Sequence, residues 1–203
     1  RRCPASNMSR DSRLRLARSR DRRRTVFESV GVLAYGMAWV GGYYISTYYW
    51  FLPAGLRFAS LWCLPRRLWP WLALSEFGAI TFTVLMGPGY RTTLGFVLGV
   101  LAPWLVHAAV VAVAAPRRRE LDPSTPWRMV RLLLAMLVAA LLTSLVLTGM
   151  SLAESTVPLA DPMFTALGFA IGDFIAMMIV VPIWLHLTRR APVATPRMLR
   201  ELV

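Results

Sequence analysis

Three ionisable side chains lie where the surrounding sequence is apolar: Arg57 in FLPAGLRFASLWCL, Glu76 in WPWLALSEFGAITF and Asp173 in ALGFAIGDFIAMMIV. A charge near the middle of a bilayer costs roughly 2.5 to 3.5 kcal/mol on insertion scales, so these groups must face protein, water or each other. One guanidinium can satisfy one or two carboxylates. Two uses fit these residue types. They form either a static ion pair that fixes helix packing, or a polar centre that senses a ligand or partner by shifting its pairs; both perturb charge in the same way, and both stay open. His107, about two-thirds along its apolar run, suits a proton relay or a bond to a neighbouring helix, whereas His186 lies at an interface. Two histidines and two distant cysteines, Cys3 and Cys63, have no metal-ligand or redox spacing, so neither a metal nor a cofactor is expected. GxSxG, HExxH, P-loop and dinucleotide fingerprints are absent, as are a phosphoacceptor histidine block and a nucleotide-cyclase motif. These 203 residues are therefore expected to carry no catalysis of their own.

The elements that must position these charges follow from composition. Of 203 residues 57% are hydrophobic, and the mean hydropathy is +0.53. That points to an all-α membrane protein, a polytopic bundle of about six transmembrane helices with the second one short. The spans are expected at Val26 to about Tyr48, Trp50 to Leu64, Leu68 to Met86, Thr92 to Ala115, Val130 to Met150 and Met163 to Leu187. In the first, Ala34, Ala38 and Gly42 recur every four residues and suggest a close-packing face. Gly95/Gly99 and Gly168/Gly172 form GxxxG pairs with the same implication. Tyr43, Tyr44, Tyr48, Tyr49 and Trp50 suit an outer aromatic belt, with a ligand cleft as the other use. The second span reaches only about 22 Å against a core near 30 Å, so it must thin the bilayer, lean on its flanks or re-enter. The fifth, the least polar, looks structural.

Charge distribution orders these spans. All 23 basic residues are arginine, and ten fall between Arg1 and Arg24. Residues 1–25 read as a basic, flexible cytoplasmic tail that fixes topology or attracts anionic headgroups. No aromatic residue interleaves these arginines, so nucleic acid is not an expected partner. If the second span crosses, every arginine except Arg57 and Arg91 lies on one side, which makes both termini cytoplasmic by the positive-inside rule. Residues 26–188 then form the membrane domain. Residues 189–203 form a connector in which Thr195 caps and Pro196 opens a helix that leads toward a downstream output domain.

The stretches Phe51-Leu52-Pro53-Ala54-Gly55-Leu56-Arg57, Leu64-Pro65-Arg66-Arg67-Leu68-Trp69-Pro70 and Ser75-Glu76 resemble the signature of MASE1, an integral-membrane sensory domain of bacterial signalling proteins. The nearest variety is that of hexose-phosphate-type sensor histidine kinases. Leu167-Gly168 through Ile171-Gly172-Asp173 to Val181-Pro182 resembles that family's last membrane helix. Pro53, Gly55, Arg57, Arg66, Trp69, Pro70, Glu76, Gly172, Asp173 and Pro182 occupy motif positions. Together these blocks cover about a quarter of the chain. Six spans, against about eight in many members, favour the shorter kinase-associated variety.

The resemblance implies a signal-input domain in the bacterial inner membrane. Such a domain usually works as a dimer, receives a small-molecule ligand or a partner membrane protein, and drives a histidine kinase or cyclic-di-GMP enzyme in the full-length protein. The alternative from the residues alone is a small transporter or channel subunit that uses the mid-membrane charges. Against it, no inverted repeat or matched pair of broken helices stands out.

Overall fold

The computed structural model describes residues 10–46, 51–85, 93–115, 126–153 and 162–190, and for 10–27, 93–95 and 188–190 the backbone alone. The elements are α1 (Arg10–Ile45), α2 (Leu52–Cys63), a 3-10 turn (Arg66–Leu68), α3 (Trp69–Leu85), α4 (Thr93–Ala114), α5 (Pro126–Ala153) and α6 (Pro162–Arg190). No strand occurs among the described residues. Among the described residues four helical stretches are long and apolar enough to cross a membrane: Arg66–Leu85, Phe96–Ala114, Pro126–Ala153 and Pro162–Leu187. Their outward positions carry residues such as Leu85, Val113, Leu145 and Ile171, more than half exposed. This is a helical membrane protein.

Of the six expected spans, the first and the short second, α1 and α2, are not among these four. Helix α1 is 36 residues long, but its described part carries Glu28, four glycines and three tyrosines, which dilute its hydropathy. It also begins at Arg10, so most of the stretch expected to be a flexible tail is helix continuous with the first apolar run. Arginine is a good helix former, and extending an existing helix avoids the cost of a new nucleus. Residues 1–9 lie outside the described residues, as do Gly87-Pro88-Gly89, Arg117 to Arg119, residues 154–161, and the expected connector from 191 onward.

Helix α2 has 12 residues, about 18 Å at 1.5 Å per residue, and everything from Pro53 to Trp62 is buried. It needs no lipid-facing side because protein surrounds it: α6, α1 and α4 pack around it. Leu56 joins a cluster with Tyr35, Trp39, Leu72 and Ile80 from α1 and α3. Phe58, Leu61 and Trp62 join a second cluster with Val111, Met136, Met177 and Val181 from α4, α5 and α6. The short helix is thus the shared wall of two half-cores. Its start is set by Pro53, whose missing N–H is harmless in the first turn, and by Ser46 Oγ, which accepts from the Leu52 N–H at 3.0 Å. Its end is set by Pro65, which pushes Leu64 into extended backbone, φ −90° and ψ 151°.

Gly55 fixes how closely α2 can lie on α6. A Cβ there would stand 2.5 Å from the Ala176 carbonyl oxygen and 2.9 Å from Val180 Cβ. The close face of α1 is not Ala34 and Ala38, which are exposed. Tyr35, Gly36 and Trp39 face α3 and α2 instead, and a Cβ on Gly36 would meet Ser75 Oγ at 2.6 Å. The four-residue spacing was real, but large aromatic side chains one position further along fill the groove. Gly42 does meet α2, at ordinary contact distance from Leu52 and Pro53.

One end of the bundle gathers the chain reversals that carry arginine. The Arg66 side chain donates to the Ala112 carbonyl at 2.8 Å, and Arg131 reaches the Val113 carbonyl at 3.4 Å. Both therefore serve the last turn of α4, whose terminal carbonyls lack helical partners and carry partial negative charge. Arg67 pairs with Glu28 of α1 at the same end. Glu28 of α1 lies at this end, and Ser144, late in α5, donates to the Ala166 carbonyl early in α6, so α5 and α6 run in opposite directions and α6 ends toward this side.

Candidate functional site

Arg57 sits mid-way along α2 and Glu76 mid-way along α3, and the two are joined. Arg57 Nε donates to Glu76 Oε1 at 2.8 Å, and an Nη donates to the same oxygen. The other carboxylate oxygen, Oε2, accepts from the Tyr35 hydroxyl at 2.7 Å. The expected pair is therefore a three-helix network over α1, α2 and α3. Arg57 is 3% exposed and Glu76 1%, so neither charge has appreciable solvent and each depends on its hydrogen bonds. Tyr35 was not legible as a partner. A tyrosine at the tenth position of the first apolar run was the available signal, and the interfacial tyrosines nearby obscured it.

Asp173 stands outside this hydrogen-bonded pair. It lies on α6, 6% exposed, and makes no hydrogen bond or salt bridge with any described residue. Arg57 is close enough to line the same cavity but spends its Nε and one Nη on Glu76. The cavity has a volume of about 210 Å³. Its polar wall holds Arg57, Asp173, Thr83 and Thr143; its apolar wall includes the rings of Trp39, Tyr43, Phe51 and Phe169. Trp39 stacks on Tyr43 with centroids 5.8 Å apart, and Phe51 meets Trp39 edge-on at 5.8 Å. Tyr43, placed in an outer belt by sequence, thus also lines the cavity. The fifth span, read as structural, supplies Thr143.

Pro103 also lines the cavity. Having no N–H, it leaves the carbonyl of Gly99, one turn earlier and in the same wall, without its usual helical donor. His107, one turn further on, is fully buried. Its Nδ1 lies 2.8 Å from the Pro103 carbonyl oxygen, a contact that puts the proton on Nδ1, and 3.3 Å from Thr143 Oγ1 on α5. His107 is thus tied to a neighbouring helix, beside the Arg57–Glu76 network rather than within it; Phe58 stands against its ring.

Comparison with protein-family models, curated proteins and solved structures finds no match. The MASE1 resemblance therefore rests on the quoted residues, and the structure gives several of them physical work. Pro53 opens α2, and Gly55 admits the α6 backbone. Arg66 caps α4 and also stacks over Trp69, its guanidinium carbon 5.7 Å from the ring centroid. Gly172 is buried beside Asp173, while Pro70 and Pro182 are exposed. Among the described residues no group of three or more His, Cys, Asp or Glu could hold a metal ion.

Proposed function

We propose that this chain is a membrane-embedded signal-input domain of a bacterial signalling protein. It would lie in the inner membrane with both termini in the cytoplasm, as a homodimer, and pass a cue to a cytoplasmic histidine kinase or cyclic-di-GMP enzyme. The observation that carries this reading is the cavity. It joins the α1–α2–α3 network at Arg57 to an unpaired carboxylate on α6, and α6 continues, with Pro182 inside it, to Arg190. The lining residues Tyr43, Phe51, Val84 and Phe169 belong to the end of the bundle opposite Arg66, Arg67 and Arg131. With the arginine-rich end in the cytoplasm, a cue enters from the periplasmic side.

A cue that engages Asp173 acts on α6 where it is packed tightly on α2 at Gly55. It shifts a population only if it binds two arrangements of these helices with different affinity. The test pairs two measurements. In cells carrying the gene in its native context, Arg57→Ala is expected to change kinase or cyclic-di-GMP output. Proteoliposomes holding the purified chain are expected to show no flux of labelled sugars, amino acids or organic cations. Flux that depends on Arg57 or Asp173 would replace this reading with that of a transporter.

A further inference from the structure

We infer that the cavity beside Asp173 binds a small organic ammonium ion. Charge balance gives the sign. Among the described residues the buried ionisable side chains that carry formal charge are Arg57, Glu76 and Asp173, one cation against two carboxylates. Arg57 and Glu76 neutralise each other through two hydrogen bonds, and Tyr35 completes Glu76. The remainder is one carboxyl group, that of Asp173, 94% removed from solvent and lining the cavity. An isolated carboxylate in such surroundings is costly; a proton or one monovalent cation neutralises it, and a bound cation is what lets Asp173 stay ionised. An anion would meet Asp173 in the same wall, and Arg57 already gives its Nε and one Nη to Glu76.

Size and lining give the class. About 210 Å³ is the room of several waters at roughly 30 Å³ each, too much for a bare alkali ion. Hard metal cations also want a full shell of oxygen ligands, whereas much of this wall is aromatic. Rings facing a cation contribute about 0.5 to 2 kcal/mol each, depending on desolvation. Trp39, Tyr43, Phe51 and Phe169 offer those rings, Asp173 the counter-charge, and the Thr83 and Thr143 hydroxyls a place for a polar substituent.

This inference rests on the cavity being the input site, but its test reads binding alone and needs no signalling output. The full chain in lipid nanodiscs is titrated with choline, tetramethylammonium and phenethylamine, and its melting temperature is followed. Neohexanol, the uncharged carbon isostere of choline, and sodium chloride are run beside them. At least one ammonium compound should raise the melting temperature saturably while neohexanol and sodium chloride do not. Asp173→Asn should weaken that binding about tenfold or more, the scale of losing a desolvated charge partner. Should Asp173→Asn fail to fold, Phe169→Leu serves instead, with weaker binding of the same compound expected. The inference is overturned if no ammonium compound stabilises the protein or if neohexanol stabilises it equally. Stabilisation by sodium chloride alone, or undiminished binding in the variant that folds, would also overturn it.

Discussion

Arg57 has two possible fates on substitution, and the hydrogen-bond geometry separates them. Removing one partner of a buried, hydrogen-bonded ion pair leaves the other charge stranded, at a cost of about 3 to 5 kcal/mol in proteins generally. Arg57→Ala should therefore lower the thermal stability of the detergent-extracted protein well below that of Arg91→Ala, whose site lies outside the apolar spans. Equal losses would mean that Glu76 does not depend on Arg57. Tyr35→Phe keeps the ring and removes only the donor to Glu76 Oε2, so a smaller loss of about 1.5 to 3 kcal/mol is expected. Glu28→Gln belongs at the other extreme. Its pair with Arg67 is partly exposed, 29% and 47%, and exposed pairs contribute about 0 to 1 kcal/mol. The charged members of the site were legible because a charge inside an apolar run is conspicuous. That Asp173 would stand apart from the pair was not, because sequence gives depth along a helix but not which way the helix is rotated.

Glycine tests the elements. Gly55→Ala drives a methyl group into the α6 backbone at Ala176, where no side chain can rotate away, and overpacking of this kind costs about 1 to 3 kcal/mol. Gly78→Ala on α3 meets nothing within 4 Å and should be neutral or stabilising by up to about 1 kcal/mol through helix propensity. Opposite signs for these two changes in one thermal-unfolding series would support the α2–α6 contact; equal effects would count against it. The spans of α3 to α6 were readable to within a few residues from hydrophobic length alone. The face of α1 was not, because small residues at four-residue spacing mark where a helix could approach a neighbour, whereas Tyr35 and Trp39 fill the space that the neighbours leave. The helical state of 10–24 was missed for a related reason, since its polar composition argued against a core and said nothing about helix extension from α1.

For the whole molecule, the charge asymmetry and the helix directions make one topology prediction. A cysteine at Ser155 should be labelled by a membrane-impermeant reagent from the periplasm, and one at Ser124 only from the cytoplasm. A reversed pattern at either would sink the expected arrangement of about six spans with both termini in the cytoplasm. The enclosed position of α2 also bears on how the protein is made. Its wall is completed by α6, the last described helix to leave the ribosome, more than a hundred residues after Gly55. Until then Arg57 has Glu76 and Tyr35, but the face that meets Ala176 and Val180 stays open in a half-built bundle. Biogenesis thus contains a waiting period, and contacts this far apart in sequence form late. Chains arrested before α6 should be cleared by membrane proteases faster than complete ones in a pulse-chase experiment. Supplying α6 as a separate segment should restore their lifetime, because what such chains lack is the wall that covers α2.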